Sequence, residues 1–220
     1  MPNASTSFFG WVAFLLQKYG MLFLRGTGMT LLIALTGTAL GFALGLLVAI
    51  IRTIALPEKK KTGSNTGVIL RRGLLKLVQL LMNVYIQVFR GTPMIVQAVV
   101  IYYGAQYAGV FMDTTFAAIF IISINTGAYM AEIIRGGIVS VDKGQFEAAH
   151  AIGMTHWQTM TTVVLPQAIR NILPSVGNEL IVNIKDSSVL NVISVSELFF
   201  QAKSAAGTYY RYFEVYFIIA

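Results

Sequence analysis

Side chains able to bind or move a charged solute fall at helical spacing within otherwise apolar sequence. Glu179, Asn183 and Asp186 stand at i, i+4 and i+7 and so form one stripe on a helix, with Asn178 and Lys185 about 100° away. Ionisable groups inside a membrane span are costly and face a bundle interior or a water-filled route. Two readings fit this stripe: the wall of a transport pathway, or polar glue between helices with charge at a membrane edge. Arg90 is the second candidate, just before a break at Gly91, Thr92 and Pro93. Thr92 followed by Pro93 suits a helix N-cap and a first helical residue. Broken helices in transporters aim their N-termini at anionic groups, and a guanidinium beside one suits a carboxylate. The competing roles for Arg90 are an ion pair with a neighbouring carboxylate, or holding the kink. His150 and His156, six apart, read as exposed polar residues rather than ligands. The chain has no cysteine and only two histidines, which excludes thiolate metal sites and a cysteine nucleophile and leaves little for a histidine metal cluster. No metal site and no catalytic residue is expected.

The elements that must position these groups follow from composition. Of 220 residues, 56% are hydrophobic and 11% charged, with a mean hydropathy of +0.70. Soluble domains have about 45–50% apolar and about 25% charged residues. A hydrocarbon core about 30 Å thick needs roughly 20 apolar residues per helix. The expected fold class is therefore an all-α integral membrane protein with about five transmembrane helices.

The first span is expected over residues 29–51, where Gly37, Gly41 and Gly45 share one face as a packing seam. The second covers 74–103 and is interrupted at the Arg90 to Pro93 break. The third covers 115–134, with Glu132 and Arg135 paired at its inner end. The fourth covers 172–193 and carries the polar stripe. Residues 213–220 are apolar but too few to cross, so the last helix is expected to continue beyond Ala220. Residues 8–16 are also too few, and are expected to form an interfacial helix with Trp11 at headgroup depth. This divides the chain into an external or interfacial segment, 1–28, and a membrane domain, 29–220.

The net charge of +7 owes much to Lys59, Lys60, Lys61, Arg71, Arg72 and Lys76, between the first two spans. Short basic loops remain in the cytoplasm, so this cluster reads as a topology signal rather than a nucleic-acid site and puts the N-terminus outside. Residues 136–170, too polar to span, then lie in the cytoplasm. A helix is expected over 147–156, a turn at Gly153, and a second apolar stretch over 157–164 that stops at Leu165 and Pro166. Small Ala148 and Ala149 would let the backbone approach another surface closely; an amphipathic helix lying on the bilayer fits the same pattern.

Glu147, Ala148, Ala149, then Gly153, then Val163, Leu165 and Pro166 resemble the EAA loop of ATP-binding cassette (ABC) importer permeases, with Val163 for the usual isoleucine. Residues 85–97 (YIQVFRGTPMIVQ), 127–153 (GAYMAEIIRGGIVSVDKGQFEAAHAIG), 163–181 (VVLPQAIRNILPSVGNELI) and 185–198 (KDSSVLNVISVSEL) are similar to the polar amino acid permeases of the histidine, glutamine and arginine type. The resemblance implies a type I importer in a bacterial plasma membrane. It implies a cytoplasmic ABC ATPase dimer, docked through Glu147, Ala148, Ala149, Gly153, Leu165 and Pro166. A second permease chain, identical or related, and an extracytoplasmic solute-binding protein that delivers a polar amino acid complete the set. ATP and Mg would be bound by the ATPase. In agreement, an ATPase phosphate loop needs a Gly-Lys pair, and none occurs here, so this chain is not expected to be an enzyme. A self-sufficient secondary carrier is the alternative; it would show corresponding broken helices in two inverted halves, and only one clear break is present.

Overall fold

The computed structural model describes residues 6–54 and 66–220, and all regular structure among them is helical. Lys59, Lys60 and Lys61 lie outside the described residues. Helix α1 (Phe8–Thr53) is one 46-residue helix, about 69 Å long at 1.5 Å per residue. It runs unbroken through residues 28 and 29, so the expected interfacial helix over 8–16 and the expected start of a span at 29 have no structural mark. Gly20, Gly26 and Gly28 weaken this stretch by about 1 kcal/mol each relative to alanine, but no proline removes a hydrogen bond. At Gly26 an added Cβ would lie 2.8 Å from the Leu198 Cα, so the missing side chain is used for a close backbone approach. Nor is Trp11 at an open surface: it is buried, against the rings of Phe14 and Tyr209, with the Arg211 guanidinium 4.5 Å from its ring centre.

Helix α2 (Thr66–Gly91) and α3 (Met94–Tyr107) are separated by a break at Thr92 and Pro93. The break falls at the expected residues, although α3 starts at Met94, and the Thr92 hydroxyl donates back to the Val88 carbonyl at 2.8 Å. Helix α4 (Thr114–Val139) begins where Asp113 Oδ1 accepts from the amides of Thr115 and Phe116. Then come α5 (Lys143–Ala151), α6 (His156–Gln158), a π-helical turn (Thr159–Val164) and α7 (Leu165–Asp186). The second stretch of the polar block does not stop at Pro166; it passes into α7. Leu165 N–H reaches the Met160 carbonyl, five residues back, and this wider turn eases the lost donor and ring clash that proline brings to a helix. The expected fourth span, 172–193, is α7 followed by a tighter 3-10 segment (Ser187–Ile193). Helices α8 (Leu198–Tyr209) and α9 (Tyr212–Ile219) follow, each entered past a residue with left-handed backbone, Ser194 (φ 65°) and Tyr210 (φ 55°).

By length and hydropathy α1 and α4 can each cross a membrane, and α2 with α3 makes a third span if the bent pair counts as one. The chain forms two compact units. One holds residues up to Gly37, Met94–Ile122 and Val182–Ala220. Its cores centre on Ile33, Ile121, Ile122 and Leu190, and on Leu15, Phe23, Ala202 and Val215. Within it, a Cβ at Gly37 would press on Ile122 at 2.5 Å. The other unit holds Thr38–Pro93 and Ser123–Ile181, with cores around Val48, Ile86, Ala128 and Ala131, and around Val141, Val164 and Ala168. There the seam continues: Gly41 meets Thr126 and Gly45 meets Met130 on α4. Arg52 on α1 forms an ion pair with Glu132, which also pairs with Arg135 at 2.9 Å. The sequence showed the second pair but not the first, whose partners stand 80 residues apart.

Candidate functional site

The polar block is a self-braced unit. Asp142 Oδ1 accepts from Gly144 N–H at 2.6 Å to start α5. The helix ends with Met154 N–H donating to the Ala149 carbonyl at 3.0 Å and Gly153 at φ +80°, a left-handed conformation that other L-residues adopt only with strain. Thr155 and Gln158 then form a reciprocal capping box that opens α6. Val141, Val164 and Ala168, with Ile138, Phe146 and Met160 around them, make the floor. Glu147 and Ala148 are exposed, whereas Ala149 is buried in the block. The two alanines therefore differ: Ala149 is small so that α5 can seat on its own chain, and Ala148 is the one that leaves an open face. Leu165 and Pro166 lie on the exposed side of α7's first turn. Ile152 and Trp157 are 79% and 74% exposed, so an apolar surface flanks the motif on both sides of Gly153.

Glu179, Asn183 and Asp186 all lie on α7. Glu179 and Asn183 are buried, and Asp186, the helix's last residue, is half-buried. Asn178 and Lys185 are exposed on a different face. Arg90, in the last turn of α2, has its guanidinium 5.4 Å from the centre of the Tyr129 ring on α4, the geometry of a cation–π contact. Close by, the Tyr85 hydroxyl donates to the Ile124 carbonyl at 2.5 Å and Asn125 Nδ2 donates to the Phe89 carbonyl at 3.3 Å. These bonds hold the end of α2 against α4.

A second stripe escaped the sequence reading. Arg72, Lys76, Gln79, Asn83, Gln87 and Arg90 recur at i, i+4, i+7, i+11, i+15 and i+18 of α2 and fall within an arc of about 80°. Leu70, Leu74, Leu77, Leu81, Val84 and Val88, all exposed, occupy the opposite arc. The signal was the period of the polar residues inside an apolar run, which is masked when charge is counted per loop. The chain itself meets part of this stripe: Gln79 Nε2 donates to the Ile54 carbonyl at 2.9 Å and Arg90 stacks on Tyr129, while Gln87 is exposed.

A family model described as the binding-protein-dependent transport system inner membrane component matches residues 63–220. The chain belongs to this permease family. The glutamine transport system permease protein GlnP of Escherichia coli strain K12 is 37% identical over 201 residues, which is 90% of this chain and 83% of that protein. The probable amino-acid ABC transporter permease protein YckA of Bacillus subtilis is 35% identical over 197 residues, 90% of this chain and 79% of that one. Among solved structures, an amino acid ABC transporter crystallised with histidines matches with 38% identity and a TM-score of 0.82, over 98% of this chain and 89% of that chain. The MetNI methionine ABC transporter in an inward-facing conformation, at 20% identity and a TM-score of 0.67, has the same fold. The protein is thus a multi-pass permease subunit of an ABC importer in the bacterial inner membrane, not a secondary carrier. In such a permease the block from Asp142 to Pro166 is where the EAA residues stand, presented on a braced support.

Proposed function

We propose that this permease imports polar amino acids, glutamine among them, and that it is driven through the face made by Glu147, Ala148, Ile152 and Trp157. The observation that carries the reading is the open apolar surface around a braced EAA block: exposed tryptophan and isoleucine suit anchors for a partner, since aromatic residues in desolvated pockets dominate interface energies. The partner is a cytoplasmic ABC ATPase dimer that holds ATP and Mg; this chain performs no catalysis. A second permease chain, identical or related, pairs with this one, and an extracytoplasmic binding protein delivers the solute. The amino acid substrate of GlnP and the amino-acid ABC transporter relatives support the substrate class. So does the chemistry: an amino acid at neutral pH carries both charges, and Arg90 suits the carboxylate while Glu179, Asn183 and Asp186 suit the ammonium; the Thr92 hydroxyl, already donated to Val88, is not offered to the solute.

The test is uptake of a panel of labelled amino acids by the assembled importer in vesicles, with ATP supplied on the ATPase side. Glu179→Gln keeps shape and removes charge. A loss of about tenfold, the factor that 1.4 kcal/mol represents, is expected for cationic solutes, with less loss for neutral ones. Equal loss for all would make Glu179 structural, and no loss removes it from the site. Uptake without ATP, or of no amino acid, would refute the function itself.

A further inference from the structure

Beyond the pathway, the 3-10 segment and α8 form a small cleft of about 250 Å³, lined by Asn191, Phe200, Lys203 and Ser204. Lys203 is exposed, yet it is held: its ammonium donates to Asn191 Oδ1 at 3.2 Å. Asn191 is fixed in turn, its Nδ2 donating to the Ser188 carbonyl at 2.6 Å. The asparagine thus turns its acceptor to the lysine and its donor to the backbone, which fixes the direction of the ammonium. One of three ammonium donors is used. Among the described residues no carboxylate pairs with Lys203, and the Ser204 hydroxyl has no hydrogen-bond partner. Phe200 supplies an apolar wall.

We infer that this cleft receives a carboxylate, with Lys203 and Ser204 as its donors and Asn191 as the residue that positions Lys203. A preset ammonium, a free hydroxyl and a flat apolar wall suit an organic acid group better than a hydrated inorganic anion, because the wall takes the carbon next to the carboxylate. With the N-terminus outside, the chain crosses outward before Ser187, which places the cleft on the side where solute arrives. The carboxylate then has two possible owners: the amino acid in transit, or an acidic side chain of the binding protein that delivers it. This inference rests on the proposed import of amino acids and adds an entry contact to it.

The experiment uses the whole importer in vesicles and the amino acid that the unaltered protein takes up best. Uptake is measured against the concentration of loaded binding protein for Lys203→Gln, Lys203→Arg and Asn191→Leu. If the carboxylate belongs to the binding protein, Lys203→Gln raises the half-saturating concentration about tenfold and weakens its salt dependence, while the maximal rate holds, as expected for a steering charge at an interface rim. If it belongs to the amino acid, the maximal rate falls and the half-saturating concentration stays. In both cases Lys203→Arg recovers most of the loss and Asn191→Leu gives a smaller change of the same kind. Rates and half-saturation for Lys203→Gln within about twofold of the unaltered importer, at low salt where exposed charges are least screened, would overturn the inference. If instead the unaltered importer takes up no amino acid, the proposed function has failed.

Discussion

At the scale of single residues, the two adjacent alanines of the EAA motif separate folding from docking. Ala149 is buried and Ala148 exposed. Ala149→Arg must bury a charge or push α5 off its floor, and breaking such packing costs about 1–3 kcal/mol or more; the expected result is a lower yield of folded permease and faster proteolysis of the block. Ala148→Arg leaves the block intact, and the expected result is normal membrane insertion with weakened copurification of the ATPase. Equal yields and equal ATPase recovery for the two variants would show that the block does not dock as described. The sequence made both alanines visible through their spacing to Gly153, but a motif lists residue types, not which of two neighbours turns inward. That is decided by Val141, Val164 and Ala168, which approach from elsewhere in the chain. Glu132 teaches the same lesson: Arg135, three residues away, was legible, whereas Arg52 comes from another helix.

At the scale of elements, the glycine seam was legible because its four-residue period needs no knowledge of the partner; that the partner is α4 was not. A leucine at Gly41 would drive its Cβ to within 2.6 Å of Thr126, and α1 cannot yield without losing its neighbouring contact at Gly45. Gly41→Leu is therefore expected to reduce the midpoint of thermal unfolding in detergent by several degrees, as overpacking costs about 1–3 kcal/mol. Gly28→Leu, where an added Cβ meets nothing within 4 Å, serves as the control on the same helix. An unchanged midpoint for Gly41→Leu would mean that α1 and α4 do not close on each other at Gly41. The continuity of α1 was illegible for the opposite reason. Clustered glycines and a change from apolar to polar residues mark a boundary locally, but burial against α8 and its neighbours outweighs a propensity loss of about 1 kcal/mol per glycine.

At the scale of the whole molecule, the distribution of Lys and Arg predicts an N-terminus outside the membrane and a basic loop inside. A cysteine at position 7 is expected to react with an impermeant thiol reagent in intact cells with a permeable outer envelope, and one at position 64 only after the membrane is opened. Labelling in the reverse pattern would invert the assignment and, with it, place the Lys203 cleft inside. The chain has no native cysteine to confuse the readout.

The π-helical turn between the EAA block and α7 also acts as a phase offset. It puts one additional residue into a turn, so everything after it on α7 is rotated by about 100° relative to an unbroken α-helix. Deleting one residue between Thr159 and Val164 would shorten the rod by only about 1.5 Å, yet it would carry Glu179 from its buried face toward the one that now presents Asn178 to the outside. The angular setting of the charged stripe is thus fixed by six residues, Thr159–Val164, that carry no charge at all.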